Sequence, residues 1–449
     1  MEKWLTDLYT VPLAGGVLIY RPRRHLAFVG NQALVRYLAR RGEDSSAPRD
    51  HAIEEFLDRV GFDQPPLEAA SPALCDGDPR PTGAVLLMTN RCNLRCVYCY
   101  ADAGTAAEPA EMEWSTAQAV IDYVQANARA AGAQATLTFH GGGEPTCHQD
   151  ILERAVRYAR EQDRDTRISM SSNGVWSPRQ RRFIQQHFSS VSLSMDGVPT
   201  VQDRQRPFVN GRGSSTALRT TITALDDAGV DYGVRMTVLP GTVQHLAEGV
   251  EAICSGSTAS TIQIEPTFTA ARGVYGDVDA EFADAFCAAF MDAWRIGRRA
   301  GRNVYYSGAR PWVVTRLFCL APLRAMVVTA GGDLVTCFEI FSGDHPQASA
   351  FRIGRVTESA VTYDRPALQA FLDRAAERRA GCCDCFCLWH CGGDCATRRR
   401  GPADTATGRC RITRALTAEL LAAFIAEGDG VWQGLREQPV EWQADSPGQ

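Results

Sequence analysis

The chain has 449 residues, of which 45% are apolar and 22% charged, with a formal net charge of −5. That composition supports a folded core, excludes wholesale disorder, and leaves no basic excess for a nucleic-acid partner. Lys3 is the sole lysine, which excludes a Walker-type phosphate loop and a pyridoxal Schiff base, since both need an interior lysine.

The opening residues, MEKWLTDLYTVPLAGG, place Asp7 where a signal peptide needs an apolar run. No stretch approaches the roughly 18 apolar residues of a membrane span. The expectation is a cytoplasmic chain with no membrane partner. In that compartment the sixteen cysteines read as metal ligands rather than disulfides.

In chain order, residues 1–62 read as a small α+β domain. Strands at Gly16–Tyr20 and Leu26–Val29 precede two helical patterns, carried by Leu34, Val35 and Leu38 and then by Ile53, Phe56, Leu57 and Val60. Residues 63–83 are a linker, because Pro65, Pro66, Pro72, Pro79 and Pro81 forbid a helix. Over residues 84–304 strands and helices alternate. The strand-like runs are Val85–Thr89, Ala135–His140, Arg167–Ser171, Ser190–Met195, Gly233–Val238 and Thr261–Glu265. A capping box is expected at Ser115 and Gln118, opening a helix with Val120, Ile121 and Val124 on its apolar face. Six β/α units in series imply a parallel sheet, doubly wound or a curved partial barrel, with chemistry at the C-terminal strand ends. Residues 305–426 break the alternation with a hairpin over Met326–Phe338, a cysteine-dense loop from Cys382 to Cys395 and a helix near Thr413–Ile425. Residues 427–449 read as a polar tail.

The first strand of the alternating region runs directly into Thr89-Asn-Arg-Cys92-Asn-Leu-Arg-Cys96-Val-Tyr98-Cys99-Tyr100. Three thiolates in one short loop suit three irons of a [4Fe–4S] cube whose fourth iron stays open. Zinc is the alternative, although structural zinc wants four protein ligands and this loop holds no fourth Cys or His. The spacing, with Tyr98 before the third cysteine, resembles the radical S-adenosylmethionine superfamily. Phe139-His140-Gly141-Gly142-Gly143-Glu144-Pro145, at the end of the second strand, resembles that family's Gly-Gly-Glu segment.

The resemblance implies a partial (β/α)6 TIM-like barrel between a small α+β N-terminal domain and a cysteine-rich C-terminal cluster-binding domain. It implies that Gly142, Gly143 and Glu144 receive the methionine amino group of S-adenosyl-L-methionine. Ser172 and Asn173 resemble the family's Thr-Asn-Gly turn, Ser194 and Asp196 occupy the place of ribose contacts, and Arg235 that of a carboxylate contact. Further along, Cys382-x2-Cys385-x5-Cys391-x3-Cys395, with Cys319, Cys337 and Cys410, resembles the SPASM extension. By motif position Cys319, Cys337 and Cys395 would hold a nearer auxiliary cluster, and Cys382, Cys385, Cys391 and Cys410 an outer one, making three [4Fe–4S] clusters in all. A zinc site is the alternative for this set as well.

Cys75, Cys147, Cys254, Cys287, Cys383 and Cys387 are left without a ligand role. His140 and Glu265, at strand ends, are candidate catalytic groups, with a hydrogen-bonded structural histidine and strand-end punctuation as the alternatives. The run Asp203-Arg204-Gln205-Arg206-Pro207 reads as a solvated charge run or a loop closing over substrate.

By the resemblance the chain is an oxidoreductase and peptide maturase. A 5′-deoxyadenosyl radical would crosslink or oxidise side chains of a ribosomally made precursor peptide or a protein, with electrons from a flavodoxin or ferredoxin. Residues 1–62 would be a peptide-recognition domain of the winged-helix kind. The alternatives are dehydrogenation or epimerisation of a small molecule such as an amino sugar, and a non-catalytic iron–sulfur electron carrier or zinc-stabilised interaction protein.

Overall fold

The computed structural model describes residues 7–43, 48–69, 77–105, 109–319, 321–358, 360–377, 381–398 and 407–434. Cys75 and the tail from residue 435 onward therefore lie outside the described residues. The chain folds into two units. One gathers Met1–Pro72, Gly308–Phe318 and Ala375–Ser446; the other is built from Ala73–Ser307 and Cys319–Arg374.

In the first unit β1 (Tyr9–Leu13), β2 (Gly16–Arg21) and β3 (Leu26–Gly30) form an antiparallel meander, and Val431–Gln433 pairs antiparallel beside β3. Side chains alternate across the meander. Ile19, Leu26 and Phe28 pack with Leu38, Leu57 and Phe62, which come from the helices Gln32–Glu43 and His51–Arg59 and the turn after them. Leu18, Tyr20 and Ala27 pack instead with Leu421 and Ile425 of the helix Gly408–Glu427. The sheet is thus buried on both faces. Arg21, 0% exposed, pairs with Asp7 at 2.7 Å inside this unit.

That packing divides the chain differently from the linear segments expected above. A three-stranded meander covered on one face only would leave Leu18 and Tyr20 in water, and a helix from the far end of the chain supplies the second cover. Residues 431–433, expected in a polar tail, are a strand of the N-terminal sheet. Residues 305–426 are split between the two units.

The second unit is ordered by one large sheet. Its parallel heart is β4 (Gly83–Leu87), β5 (Thr136–His140), β6 (Arg167–Ser172), β7 (Ser190–Ser194), β8 (Asp231–Val238) and β9 (Thr261–Pro266), lying side by side in chain order. β4 is buried at every residue, whereas β6 and β7 alternate buried and half-buried positions. A small hairpin, β10 (Thr269–Ala271) and β11 (Val274–Tyr275), follows β9. β12 (Asn303–Tyr305) adds parallel to β9 at one edge. At the other edge β13 (Ala325–Val328) adds parallel to β4, and β14 (Asp333–Val335), β15 (Arg352–Val356) and β16 (Val361–Tyr363) continue antiparallel. The order runs from β12 to β16 without closing.

The fold is therefore α/β with an open parallel sheet, and the expected hairpin around Gly331–Gly332 extends it. The helix over Trp114–Ala131 buries Val120, Ile121 and Val124 as expected. Its capping box does not form: the helix starts at Trp114, and Gln118 donates instead to the Tyr158 hydroxyl at 3.2 Å. Ser177 and Gln180 make such a box at the helix Pro178–His187. Among the described residues no helix is long and apolar enough to cross a membrane.

Because Leu18 is fully buried between the meander and the C-terminal helix, Leu18→Ala should cost about 2–5 kcal/mol. Thermal unfolding should show a lowered Tm, and an unchanged Tm would contradict the two-sided packing of this sheet.

Candidate active site

The loop carrying Cys92, Cys96 and Cys99 leaves β4 at the C-terminal end of the sheet and is held from four directions. From β5, Gly143 N–H donates to Thr89 O and Glu144 N–H to Arg91 O, both at 2.8 Å. A Cβ on Gly143 would lie 2.0 Å from the Arg91 carbonyl oxygen, and one on Gly142 would lie 2.6 Å from the Phe341 ring. The glycines were expected to admit a bound amino acid. They also let the cysteine loop's own backbone and an aromatic ring come close.

The Glu144 carboxylate is buried and faces β6. Its Oε1 accepts from the Ser172 hydroxyl and the Thr146 hydroxyl at 2.8 Å each, and its Oε2 accepts from Asn173 N–H at 2.8 Å. Burial pushes this carboxyl above its ordinary range. Asn173, fixed by these bonds, donates from Nδ2 to Asn93 Oδ1 at 2.8 Å and to Cys92 Sγ at 3.8 Å.

The third hold comes from β7. Asp196 Oδ2 accepts from the Tyr98 hydroxyl at 2.6 Å, Gln205 Nε2 at 2.7 Å and Arg206 Nε at 2.9 Å. Its Oδ1 accepts from Arg206 Nη2 at 3.1 Å and Thr237 N–H at 3.0 Å. The run 203–207 is therefore not a solvated charge run throughout: only Arg204 is exposed. Gln205 and Arg206 are buried under the cysteine loop, and Asp203 holds Ser215 through its N–H and hydroxyl. Sequence reasoning missed this because a local charge run looks the same whether its partner is water or a distant carboxylate.

The fourth hold is Arg272, from the β10–β11 turn, also missed. It donates to Cys96 O at 2.6 Å, Ala103 O at 2.9 Å and Asp102 Oδ1 at 2.7 Å.

Each of the three sulfurs consequently faces an N–H donor. Leu94 N–H lies 3.5 Å from Cys92 Sγ, Ala103 N–H 3.5 Å from Cys99 Sγ, and Arg206 Nη1 4.0 Å from Cys96 Sγ. Burial raises the Cys96 thiol to about 11, against the pull of Arg206. Among the described residues no group of three or more His, Cys, Asp or Glu side chains is placed to hold a metal ion. The thiols of a cube stand farther apart than the ligands of one ion.

The other candidates ring the same strand ends. Arg235 on β8 is exposed, sits in register with Ser194 of β7, and lies within electrostatic reach of His140 and Tyr100. The His140 ring stacks on Phe338 at 5.6 Å, and its Nδ1 accepts from Gly141 N–H at 2.9 Å. Burial, helped by Arg235, lowers its pKa to about 4. Glu265 Oε1 accepts from Gln263 Nε2 at 2.9 Å and Ser307 N–H at 3.0 Å.

Cys337, whose sulfur accepts from Glu339 N–H at 3.4 Å, and Cys319 belong to this unit. Cys382, Cys385, Cys391, Cys395 and Cys410 belong to the other. There Cys391 is within electrostatic reach of Cys385 and Cys410, and Thr407 Oγ1 donates to Cys410 Sγ at 3.7 Å. Cys387, left without a role above, is buried beside Cys385, its sulfur 3.8 Å from the Thr413 carbonyl oxygen. Its thiol hydrogen bond pulls Cys385 down to about 6.

A cysteine loop fixed at the C-terminal ends of parallel strands, with a Gly-Gly-Glu segment bonded to it, defines a class of enzyme. Residues 86–250 match the radical SAM superfamily. Fe-coproporphyrin III synthase of Methanosarcina barkeri is 31% identical over 161 residues, 35% of this chain and 37% of that protein. The serine-type anaerobic sulfatase-maturating enzyme of Klebsiella aerogenes is 24% identical over 321 residues, 68% of this chain and 76% of that one. The first curated relatives are matched over only 37% to 56% of their own lengths. Among solved structures, native anSMEcpe with bound AdoMet has a TM-score of 0.60 at 16% identity, covering 77% of this chain and 99% of that one.

His140 provides a test of the site's electrostatics. Its folded pKa of about 4 lies below the ordinary 6.5. The neutral ring's stabilising contribution is therefore present above pH 6.5 and declines as pH falls from 6.5 towards 4. The His140 ring protons should hold their chemical shift in NMR spectra from about pH 8 to 5, and a transition near 6.5 would contradict this environment.

Proposed function

We propose that Cys92, Cys96 and Cys99 ligate three irons of a [4Fe–4S] cluster whose fourth iron takes S-adenosyl-L-methionine, and that the enzyme modifies side chains of a ribosomally made peptide or a protein. The observation that carries this reading is the N–H donor at every one of the three sulfurs. Such donors suit thiolates of an anionic cluster, where neutral buried thiols would want none. When bound, cluster and S-adenosyl-L-methionine supply one-electron cleavage of a carbon–sulfur bond and, through it, abstraction of a substrate hydrogen atom.

The chain's own residues orient and exclude water. Glu144 and Asp196, whose oxygens already accept protein donors, act as positioning groups for Ser172, Asn173 and Tyr98. Gly142 and Gly143 contribute backbone, and Ser194 the strand end beside Arg235. Arg235, exposed beside the site, offers its guanidinium to the S-adenosyl-L-methionine carboxylate. His140 stays neutral against Phe338 and keeps water from the strand ends, and Glu265 is the acid–base candidate at the end of β9.

Cys319, Cys337 and Cys395 on one hand, and Cys382, Cys385, Cys391 and Cys410 on the other, are proposed for two auxiliary clusters. Electrons would come from a flavodoxin or ferredoxin. The peptide or protein substrate is supported by the sulfatase-maturating relative, which aligns over more of this chain than the tetrapyrrole enzyme does. A small-molecule substrate is the second reading, favoured by the higher identity to Fe-coproporphyrin III synthase.

Two outcomes test the chemistry. Reconstituted protein should carry about 12 irons per chain, on four-iron stoichiometry. On reduction with S-adenosyl-L-methionine it should release 5′-deoxyadenosine, detected by liquid chromatography. Replacing Cys92, Cys96 and Cys99 together by Ala should leave a folded protein with about four fewer irons and no 5′-deoxyadenosine. Unchanged release from that variant would sink the assignment.

A further inference from the structure

Arg206 carries a buried charge in an arrangement that has a direction. It follows the short helix Pro199–Gln205, and its side chain is 8% exposed against 0% for Asp196. Nε and Nη2 grip the two Asp196 oxygens, and the guanidinium carbon stands 5.2 Å from the centre of the Tyr98 ring. Nη1, the remaining nitrogen, reaches Cys96 Sγ at 4.0 Å. Asp196 is tied on its other sides by Tyr98, Gln205 and Thr237 N–H, so the pair cannot turn. Its positive end is presented to one sulfur.

The three cysteines are not equivalent in this field. Cys96 has the Arg206 guanidinium at its sulfur and the Arg272 guanidinium at its carbonyl. Cys92 has the neutral Asn173 amide, with the Glu144 carboxylate also in reach. Cys99 has a backbone N–H.

We propose that Arg206, oriented by Asp196 and Tyr98, is a positioning residue that raises the reduction potential of the cluster held by Cys92, Cys96 and Cys99. The inference rests on the cluster reading given above. One-electron reduction adds a negative charge to the cube, and a cation against a ligand sulfur stabilises the reduced form more than the oxidised one. Burial keeps solvent ions from screening it. The effect eases entry of one electron from a low-potential, one-electron donor.

A single Arg206→Gln change would strand a buried carboxylate and endanger folding. The test therefore uses Asp196→Asn with Arg206→Gln, which removes both charges and keeps hydrogen-bonding shape, alongside Arg206→Lys, which keeps the charge. Full-length reconstituted protein is titrated with a mediated reductant, and the electron paramagnetic resonance signal lost in the Cys92/Cys96/Cys99 triple Ala variant is followed. The double variant should retain its iron, and its reduction equilibrium should fall about tenfold, ~59 mV for one electron. Arg206→Lys, which keeps the charge but not the fork, should fall by less than the double variant. A wild-type midpoint in the double variant would overturn the proposal. So would an equal fall in Arg206→Lys, since geometry rather than charge would then be at work. Wild-type protein lacking any cluster at this loop would overturn the site reading itself, and this inference with it.

Discussion

Two buried carboxylates organise the mouth of the parallel sheet. Glu144 at the end of β5 and Asp196 at the end of β7 are each nearly inaccessible to solvent, and a carboxylate taken out of water must gather donors or lose its charge. Glu144 gathers Thr146, Ser172 and Asn173; Asp196 gathers Tyr98, Gln205, Arg206 and Thr237. Through Asn173 and Tyr98 both sets end on the same cysteine loop. That loop is thus specified by strand ends far apart in sequence, and two of its sulfurs, those of Cys92 and Cys96, take a donor from them, Asn173 and Arg206.

The parallel sheet was legible in the sequence because its signal is local. β4 is a short apolar run and β5 to β9 alternate polar and apolar residues, and all six fall within two residues or so of the runs read from the sequence. The cysteine spacing and the Gly-Gly-Glu segment were legible for the same reason. What the glycines do was not. Gly143 is crowded by the Arg91 carbonyl and Gly142 by Phe341, and neither neighbour is close in sequence. Arg206 stood inside a charge run and Arg272 was not singled out for the same cause: their partners, Asp196 and Cys96, are fixed only by the fold.

The division into units shows the same limit on a larger scale. Residues 1–62 carry a recognisable strand and helix pattern, yet Leu18 and Tyr20 need Leu421 and Ile425 to cover them. A pattern read from one end of the chain cannot announce that its second face is completed from the other. The consequence is functional. The helix carrying Cys410 at its start also covers the N-terminal sheet. Any substrate-recognition role for that sheet therefore belongs to the same unit as Cys382, Cys385, Cys391, Cys395 and Cys410.

The central claim is that the Cys92–Cys99 loop presents a cluster with one open iron to S-adenosyl-L-methionine. The most direct measurement is the electron paramagnetic resonance spectrum of the reduced, reconstituted protein with and without S-adenosyl-L-methionine. The account predicts that one cluster signal, the one missing when Cys92, Cys96 and Cys99 are all replaced by Ala, changes its g-values on addition while the remaining signals hold. A spectrum left unchanged at saturating S-adenosyl-L-methionine, with all clusters present, would contradict it.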